Sequence, residues 1–171
     1  MCKLVKLTPD MEQEYFRYIN EWVENGEKIV PMSSNNNGLS FSQYLKSLKS
    51  FESEDTCPGN FVPGTTYFYA DGSGRILGAI NIRHRLNDYL MKFGGHIGYG
   101  IRPSERRKGH AEHMLALALR QAKTLGIKSA LVTCDSKNTG SSKTILHNGG
   151  VLENEVPDEG RIIQRYWIEI R

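Results

Sequence analysis

Residues 94–126 set a strand, a basic turn and an amphipathic helix in direct succession, and no other stretch restricts the fold as much. Residues 94–101 read as a strand, and Pro103 stops it because proline cannot donate to a ladder. From about Gly109 to Leu125, apolar residues fall at Ala111, Met114, Leu115, Ala118, Leu119, Ala122 and Leu125. Steps of three and four place them on one face of a helix. Gly126 then offers the left-handed residue that commonly ends a helix. Residues 130–134 form a short apolar strand. A helix between two strands in this way needs a sheet to bury its apolar face.

The flanking sequence supplies that sheet. Residues 3–7 read as a strand. Thr8 and Pro9 read as cap and first turn of a helix through Tyr15, Ile19, Trp22 and Val23. Residues 41–51 form a second helix between two segments rich in turn formers, 33–38 and 55–60. Residues 65–70 and 76–85, joined by Asp71-Gly72-Ser73-Gly74, predict a hairpin. Residues 141–148 form a short helix closed by Gly149-Gly150, and strands follow at 151–155 and 162–170. The expected architecture is α+β, with a mixed sheet carrying helices on its faces, in one domain spanning residues 1–171.

Composition narrows the function classes. Hydrophobic residues make up 39% and charged residues 24%, enough of each to bury a core and solvate a surface. No apolar run approaches the roughly 20 residues that cross a bilayer, and the first residues contain no apolar signal core. Neither a membrane protein nor a secreted one is expected. Cys2, Cys57 and Cys134 show no CxxC spacing, which argues against a disulfide framework or a zinc ribbon. A cytoplasmic setting is the simplest expectation. A net charge of +3 is too mild to imply nucleic acid, so any anionic ligand must be held by local clustering.

That clustering occurs at residues 96–111. Helix starts carry unpaired N–H groups and partial positive charge, and so bind phosphates. Arg102, Arg106, Arg107 and Lys108 add full charges there, and Gly109 removes a side chain where backbone would approach a ligand. The Walker pattern and the dinucleotide pattern GxGxxG are both absent. The residues alone leave two readings open, an anion site and a solvated basic turn.

Arg106-x-x-Gly109-x-Ala111 resembles the Arg/Gln-x-x-Gly-x-Gly/Ala signature of the GNAT superfamily of acyl-CoA-dependent N-acyltransferases. Its setting strengthens the resemblance: it follows a strand, opens an amphipathic helix and precedes an apolar strand and Asn138. The segment from Asn138 to Gly150 is similar to the family's second CoA-binding segment, with Asn138, Ser141 and Gly149 in matching positions. Two positions depart. Gly150 stands where Phe is usual, and Ile145 stands where many members place a Tyr that protonates the departing thiolate. The resemblance covers residues 65–155 well, and residues 1–60 only in outline.

The resemblance implies a GNAT-like fold with a mostly antiparallel sheet flanked by helices on both faces. It implies an N-acetyltransferase moving acetyl from acetyl-CoA to a primary amine, by direct attack in a ternary complex. Arg106, Arg107, Lys108, Gly109, His110 and Ala111 would hold the pyrophosphate. Ile101 and Pro103 would flank the pantetheine and pyrophosphate contacts, and Asn138 and Ser141 would touch the pantetheine or adenosine side. The acceptor would be a small-molecule or protein amine. No metal, nucleic acid or membrane is implied, and the oligomeric state stays open, although GNAT domains are often dimers. The alternative is a CoA-binding regulatory module with little turnover.

The catalytic candidates are His96, Asp135 and Tyr166. His96 aligns with a strand position where several members carry a Glu that helps deprotonate the amine. An imidazole, with an ordinary pKa of about 6.5, suits that task; a histidine bonded within the core is the other reading. Asp135 could hold a water or an amine, or shape a turn. Tyr166 is a reserve acid or a core aromatic. Gly98 and Gly100, alternating in a strand, mark either room for a ligand or close packing of another element. His110-x-x-His113 lacks the supporting ligands of a zinc site. Cys134 reads as buried and inert.

Overall fold

Strands β1 (Lys3–Val5), β2 (Gly64–Ala70), β3 (Ile76–Arg83), β4 (Ile97–Ile101), β5 (Ser129–Asp135), β6 (Val151–Asp158) and β7 (Arg161–Glu169) form one sheet, in the order β1-β2-β3-β4-β5-β7-β6. This computed structural model describes residues 1–170. Every neighbouring pair is antiparallel except β4 and β5, which run parallel. Helices α1 (Glu12–Glu24) and α2 (Phe41–Ser50) cover one face, and α3 (His110–Thr124) and α4 (Thr139–His147) the other. The expected α+β sheet flanked on both faces is the observed one.

Two cores follow from this layering. On one face Tyr15, Tyr18, Trp22, Phe41 and Tyr44 pack against Phe68, Ile76 and Ala79. On the other, Met114, Leu115, Ala118 and Ala122 of α3 pack with Ile80, Ile82, Ile97 and Val132. The periodicity of α3 predicts its buried face, and Gly126 (φ 79) ends that helix as expected. The start of α1 differs from expectation. Pro9–Met11 forms a 3-10 turn, α1 begins at Glu12, and Thr8 makes no side-chain cap bond. The strand expected from residue 94 begins at Ile97, because Leu90–Gly94 winds into a π turn and Gly95 (φ 65) lies against the backbone of Leu131.

The feature that positions the site is the contrast on the two sides of β4. Against β3, all of its residues from Ile97 to Ile101 are in register. Against β5 only Ile97 and Val132 pair. The N–H of Arg102 bonds Leu77 O, and the N–H of Arg83 bonds His96 O, so the even-numbered residues turn their backbone to β3. Tyr99 and Ile101, between them, turn theirs toward the side where β5 no longer pairs.

Candidate active site

A cleft of about 800 Å³ opens at this side of β4. It brings together residues 99–101, Arg106 and Arg107, residues 109–112 at the start of α3, and residues 138–141 at the start of α4. These segments are 42 residues apart in sequence at the Tyr99–Ser141 contact, where the two hydroxyls lie 2.8 Å apart.

The start of α3 is left open. Its N-cap is Gly109, left-handed at φ 79, with no side-chain cap bond. The N–H of His113 reaches Gly109 O at 3.2 Å. The amides of His110, Ala111 and Glu112 precede it in the first turn, where an α-helix offers no partner. Arg107 is also left-handed, at φ 64, so the backbone curls around position 108 as anion-binding concavities do. A non-glycine residue held in that region costs about 1–2 kcal/mol. A Cβ on Gly109 would meet nothing within 4 Å, so the cradle is empty of protein on that side.

The basic residues expected to add charge are sorted by their carboxylate partners. Arg102 is buried and pins β4 to α1, with Nε 2.6 Å from Glu21 and Nη1 3.2 Å from Glu14. Arg106 makes a forked pair with Glu27 at 2.9 and 2.7 Å and lies 5.0 Å over the Trp22 ring. That pairing holds the Glu27 carboxyl below its usual range. Lys108 bonds Glu105 at 3.0 Å, and His110 Nε2 lies 3.6 Å from the same carboxylate. Arg75, first, and then Lys108 pull the Glu105 pKa down. Of the four basic residues, only Arg107 makes no ion pair among the described residues. Ile101 is buried, and its carbonyl accepts from Arg106 Nε at 3.1 Å. Pro103 opens a short 3-10 turn and stays outside the cleft lining. Asn138 caps α4, its Oδ1 accepting the Ser141 N–H at 3.0 Å.

None of the three expected catalytic residues lines this cleft. His96 is 8% exposed and doubly tied to β5: its N–H bonds Leu131 O at 2.7 Å, and its Nδ1 accepts the Leu131 N–H at 3.0 Å. Burial, then the Arg83 charge, pull its pKa down to about 4. With the Nδ1 lone pair committed, the geometry gives His96 a structural task in place of the expected general base: it fastens the last point where β4 and β5 meet. Asp135 accepts the Lys137 N–H on Oδ1 at 2.8 Å and the Asn138 N–H on its carbonyl at 2.8 Å, so it shapes the turn into α4. Tyr166 is buried on β7 and donates to Gln164 Oε1 at 2.8 Å.

Tyr99 was not singled out by its sequence signal. Alternation along β4 puts it on the face opposite His96, and the structure places it on the cleft wall, its hydroxyl pushed up to about 12 mainly by burial. Gly100 is explained by close packing. An added Cβ would collide with Val30 O and crowd Trp22. Gly98 borders the guanidinium of Arg83, 3.4 Å from where a Cβ would stand. The two departures from the family pattern touch each other: Ile145 is fully buried, and a Cβ at Gly150 would run into it. His110 and His113 go to separate partners, Glu105 and the Tyr69 hydroxyl.

A second cleft of about 510 Å³ lies on the α1–α2 face. Val30 lines the first cleft and Pro31 the second, so the two meet at one turn of the α1–α2 connection.

A parted strand pair with an uncapped helix start at its mouth is the arrangement expected of an acyl-CoA-dependent transferase. Residues 7–151 match the acetyltransferase (GNAT) domain, and the chain belongs to that family, one of acetyltransferases that use acetyl-CoA. No curated protein matches the chain in sequence. Among solved structures, the microcin C7 self-immunity acetyltransferase MccE, in complex with acetyl-CoA and AMP, is 20% identical with a TM-score of 0.69, over 99% of this chain and 92% of that one. A GNAT-family acetyltransferase from Streptococcus pneumoniae is 15% identical with a TM-score of 0.68, over 100% of both chains. Mutant forms of the spermidine/spermine N-acetyltransferase SpeG from Vibrio cholerae are 16% identical with a TM-score of 0.63, over 99% and 95%. These likenesses show the fold.

Proposed function

We propose that this chain moves an acetyl group from acetyl-CoA to a primary amine, by direct attack within a ternary complex. The observation that carries the reading is the open start of α3, facing the place where β4 loses its partner. The curled backbone at residues 107–111 and the free Arg107 fit a pyrophosphate, whose oxygens match amides at a helix start. The backbone of Tyr99 and Ile101 fits an extended amide-bearing arm, which would bond it as an added strand does. Asn138 and Ser141 would border that arm from α4.

In this reading the protein chiefly positions two reactants, a contribution of several kcal/mol. The amine nitrogen bonds the carbonyl carbon as the carbon–sulfur bond breaks. The amine gives up a proton, and the departing thiolate takes one. The Ile101 N–H, turned toward the unpaired side of β4, is a natural donor to the carbonyl oxygen. In this reading the amine enters from the second cleft, whose wall carries no carboxylate or imidazole among the described residues, and its proton passes to water. The Tyr99 hydroxyl, held protonated by burial, stands on the wall of the first cleft and would supply the thiolate. Tyr99→Phe should then lower kcat without changing the Kd for acetyl-CoA; an unchanged kcat removes Tyr99 from the mechanism.

The test of the whole reading is binding followed by turnover. Saturating acetyl-CoA should stabilise the fold, by about 2.7 kcal/mol at a hundredfold excess over Kd, and ATP should do less. Thiol release over a broad amine panel should then be seen. Absence of calorimetric binding to acetyl-CoA ends the proposal. Binding without release to any amine leaves a CoA-binding module.

A further inference from the structure

The second cleft holds a charge that nothing among the described residues balances. Among the described residues, each buried or half-buried arginine other than Arg83 has a carboxylate partner: Arg75 has Glu105, Arg102 has Glu14 and Glu21, Arg106 has Glu27 and Arg165 has Glu153. Arg83 has none. Its Nη1 bonds the carbonyls of Gly94 and Gly95 at 2.9 and 3.2 Å, which fixes the plane of the guanidinium and leaves Nε and Nη2 without a partner among the described residues. Burial of a charge without a counter-ion is unfavourable unless a ligand supplies one. Arg83 is also the only charged residue among the described residues lining this cleft. The remaining wall is carboxamide, hydroxyl and aromatic or aliphatic, with Asn81, Asn36, Thr66, Tyr44, Leu48 and Phe61 among its residues.

The position of Arg83 bears on the reaction. It ends β3, and its guanidinium lies against Gly98, two residues along β4 from Gly100, which lines the first cleft. A side chain at Gly98 would stand between Arg83 and the strand. Its absence leaves the fork of the guanidinium beside the strand where the acyl transfer is proposed.

We infer that the acceptor is a primary amine that also carries an anionic oxygen group, carboxylate or phosphate-like, bound by the fork of Arg83, on a body of aromatic or apolar character. This rests on the acetyl-transfer reading above and names its acceptor class. A planar guanidinium with two free donors matches a carboxylate or a phosphate oxygen pair, whereas it repels a second ammonium. A polyamine needs carboxylates along its length, and this cleft offers none.

The experiment is a thiol-release assay on the whole chain with three matched sets of amines. The sets are aromatic amino acids with their aminophosphonate analogues, the corresponding carboxamides and decarboxylated amines, and polyamines such as spermidine. Rates are compared at equal concentrations of neutral amine. The expected result is a kcat/KM at least about tenfold higher for the anionic set, as a site with dedicated polar groups discriminates against a ligand lacking the partner. The carboxylate and phosphonate arms decide between the two anions. Arg83→Gln should abolish the preference by raising KM for anionic amines, with the Kd for acetyl-CoA unchanged. Arg83→Lys keeps the charge and should retain part of the preference. In the parent protein, aromatic carboxylates without an amine should inhibit competitively against the acceptor and not against acetyl-CoA, a readout that needs no variant to fold. Equal or better use of carboxamides or polyamines overturns this inference and leaves acetyl transfer standing. No release from any amine, with acetyl-CoA bound, overturns both.

Discussion

Helices α2 and α3 begin in opposite ways. Ser40 accepts the Gln43 N–H at 3.3 Å, and the Gln43 side chain accepts the Ser40 N–H at 3.0 Å, so a full capping box seals α2. At α3 a left-handed glycine stands in the same place and no side chain answers the first amides. Both helices pack an apolar face on the sheet, so packing does not explain the difference. A sealed start favours stability; an open one keeps amides for a ligand. At α3 the open start, with the strained Arg107 beside it, stands where the strands part.

The largest expected effect breaks the open start directly. Gly109→Val places a branched side chain in the cradle and forces it into a left-handed backbone, a strain of about 1–2 kcal/mol. Acetyl-CoA affinity, read by calorimetry, should fall on the order of a hundredfold while circular dichroism shows a folded chain. Parental affinity would mean the cradle is elsewhere. The converse is Ser40→Ala. Loss of a cap costs about 1 kcal/mol, so the melting temperature should drop by about 2–4 °C with acetyl-CoA affinity untouched. A change in that affinity would show that the two starts are coupled.

Arg106→Ala sharpens the contrast further, because the sequence counts Arg106 with the ligand and the structure pairs it with Glu27. Both partners are more than a third exposed, so about 0.2–1 kcal/mol of stability is at stake. The affinity for acetyl-CoA should change by less than about tenfold, whereas Arg107→Ala should weaken it more and reduce its dependence on salt. The reverse ranking would return the pyrophosphate contact to Arg106.

The smallest effect on turnover is expected at His96. His96→Gln should keep kcat and the acidic limb of the pH–rate profile, since Nδ1 is bonded within the fold. Stability is another matter. The pKa of His96 falls from 6.5 to about 4 on folding, so the unfolded chain binds the extra proton first. The contribution of the neutral ring is present above pH 6.5 and is lost as pH falls toward 4. Urea melts across that range should show the loss in the parent and less of it in the variant. A shifted acidic limb in His96→Gln would restore the catalytic reading.

The amphipathic period of α3, the stop at Pro103, the hairpin at residues 71–74 and the Gly109–Ala111 pattern are local facts of backbone and side-chain spacing, and they were legible. Which basic residue remains free was not, because Glu14, Glu21 and Glu27 lie some 80 residues before Arg102 and Arg106 and meet them only when α1 docks. The Gly98 and Gly100 pair looked alike in sequence, yet one is filled by the backbone of Val30 and the other faces Arg83.

By itself the sequence determined the elements, their apolar faces and the helix start suited to an anion, since each depends on neighbours within a turn or two of chain. Tertiary structure alone decided where β4 and β5 part, which charges are cancelled and which are left for a ligand. Those outcomes depend on contacts between segments tens of residues apart, and no local spacing records whether a carboxylate will arrive beside an arginine.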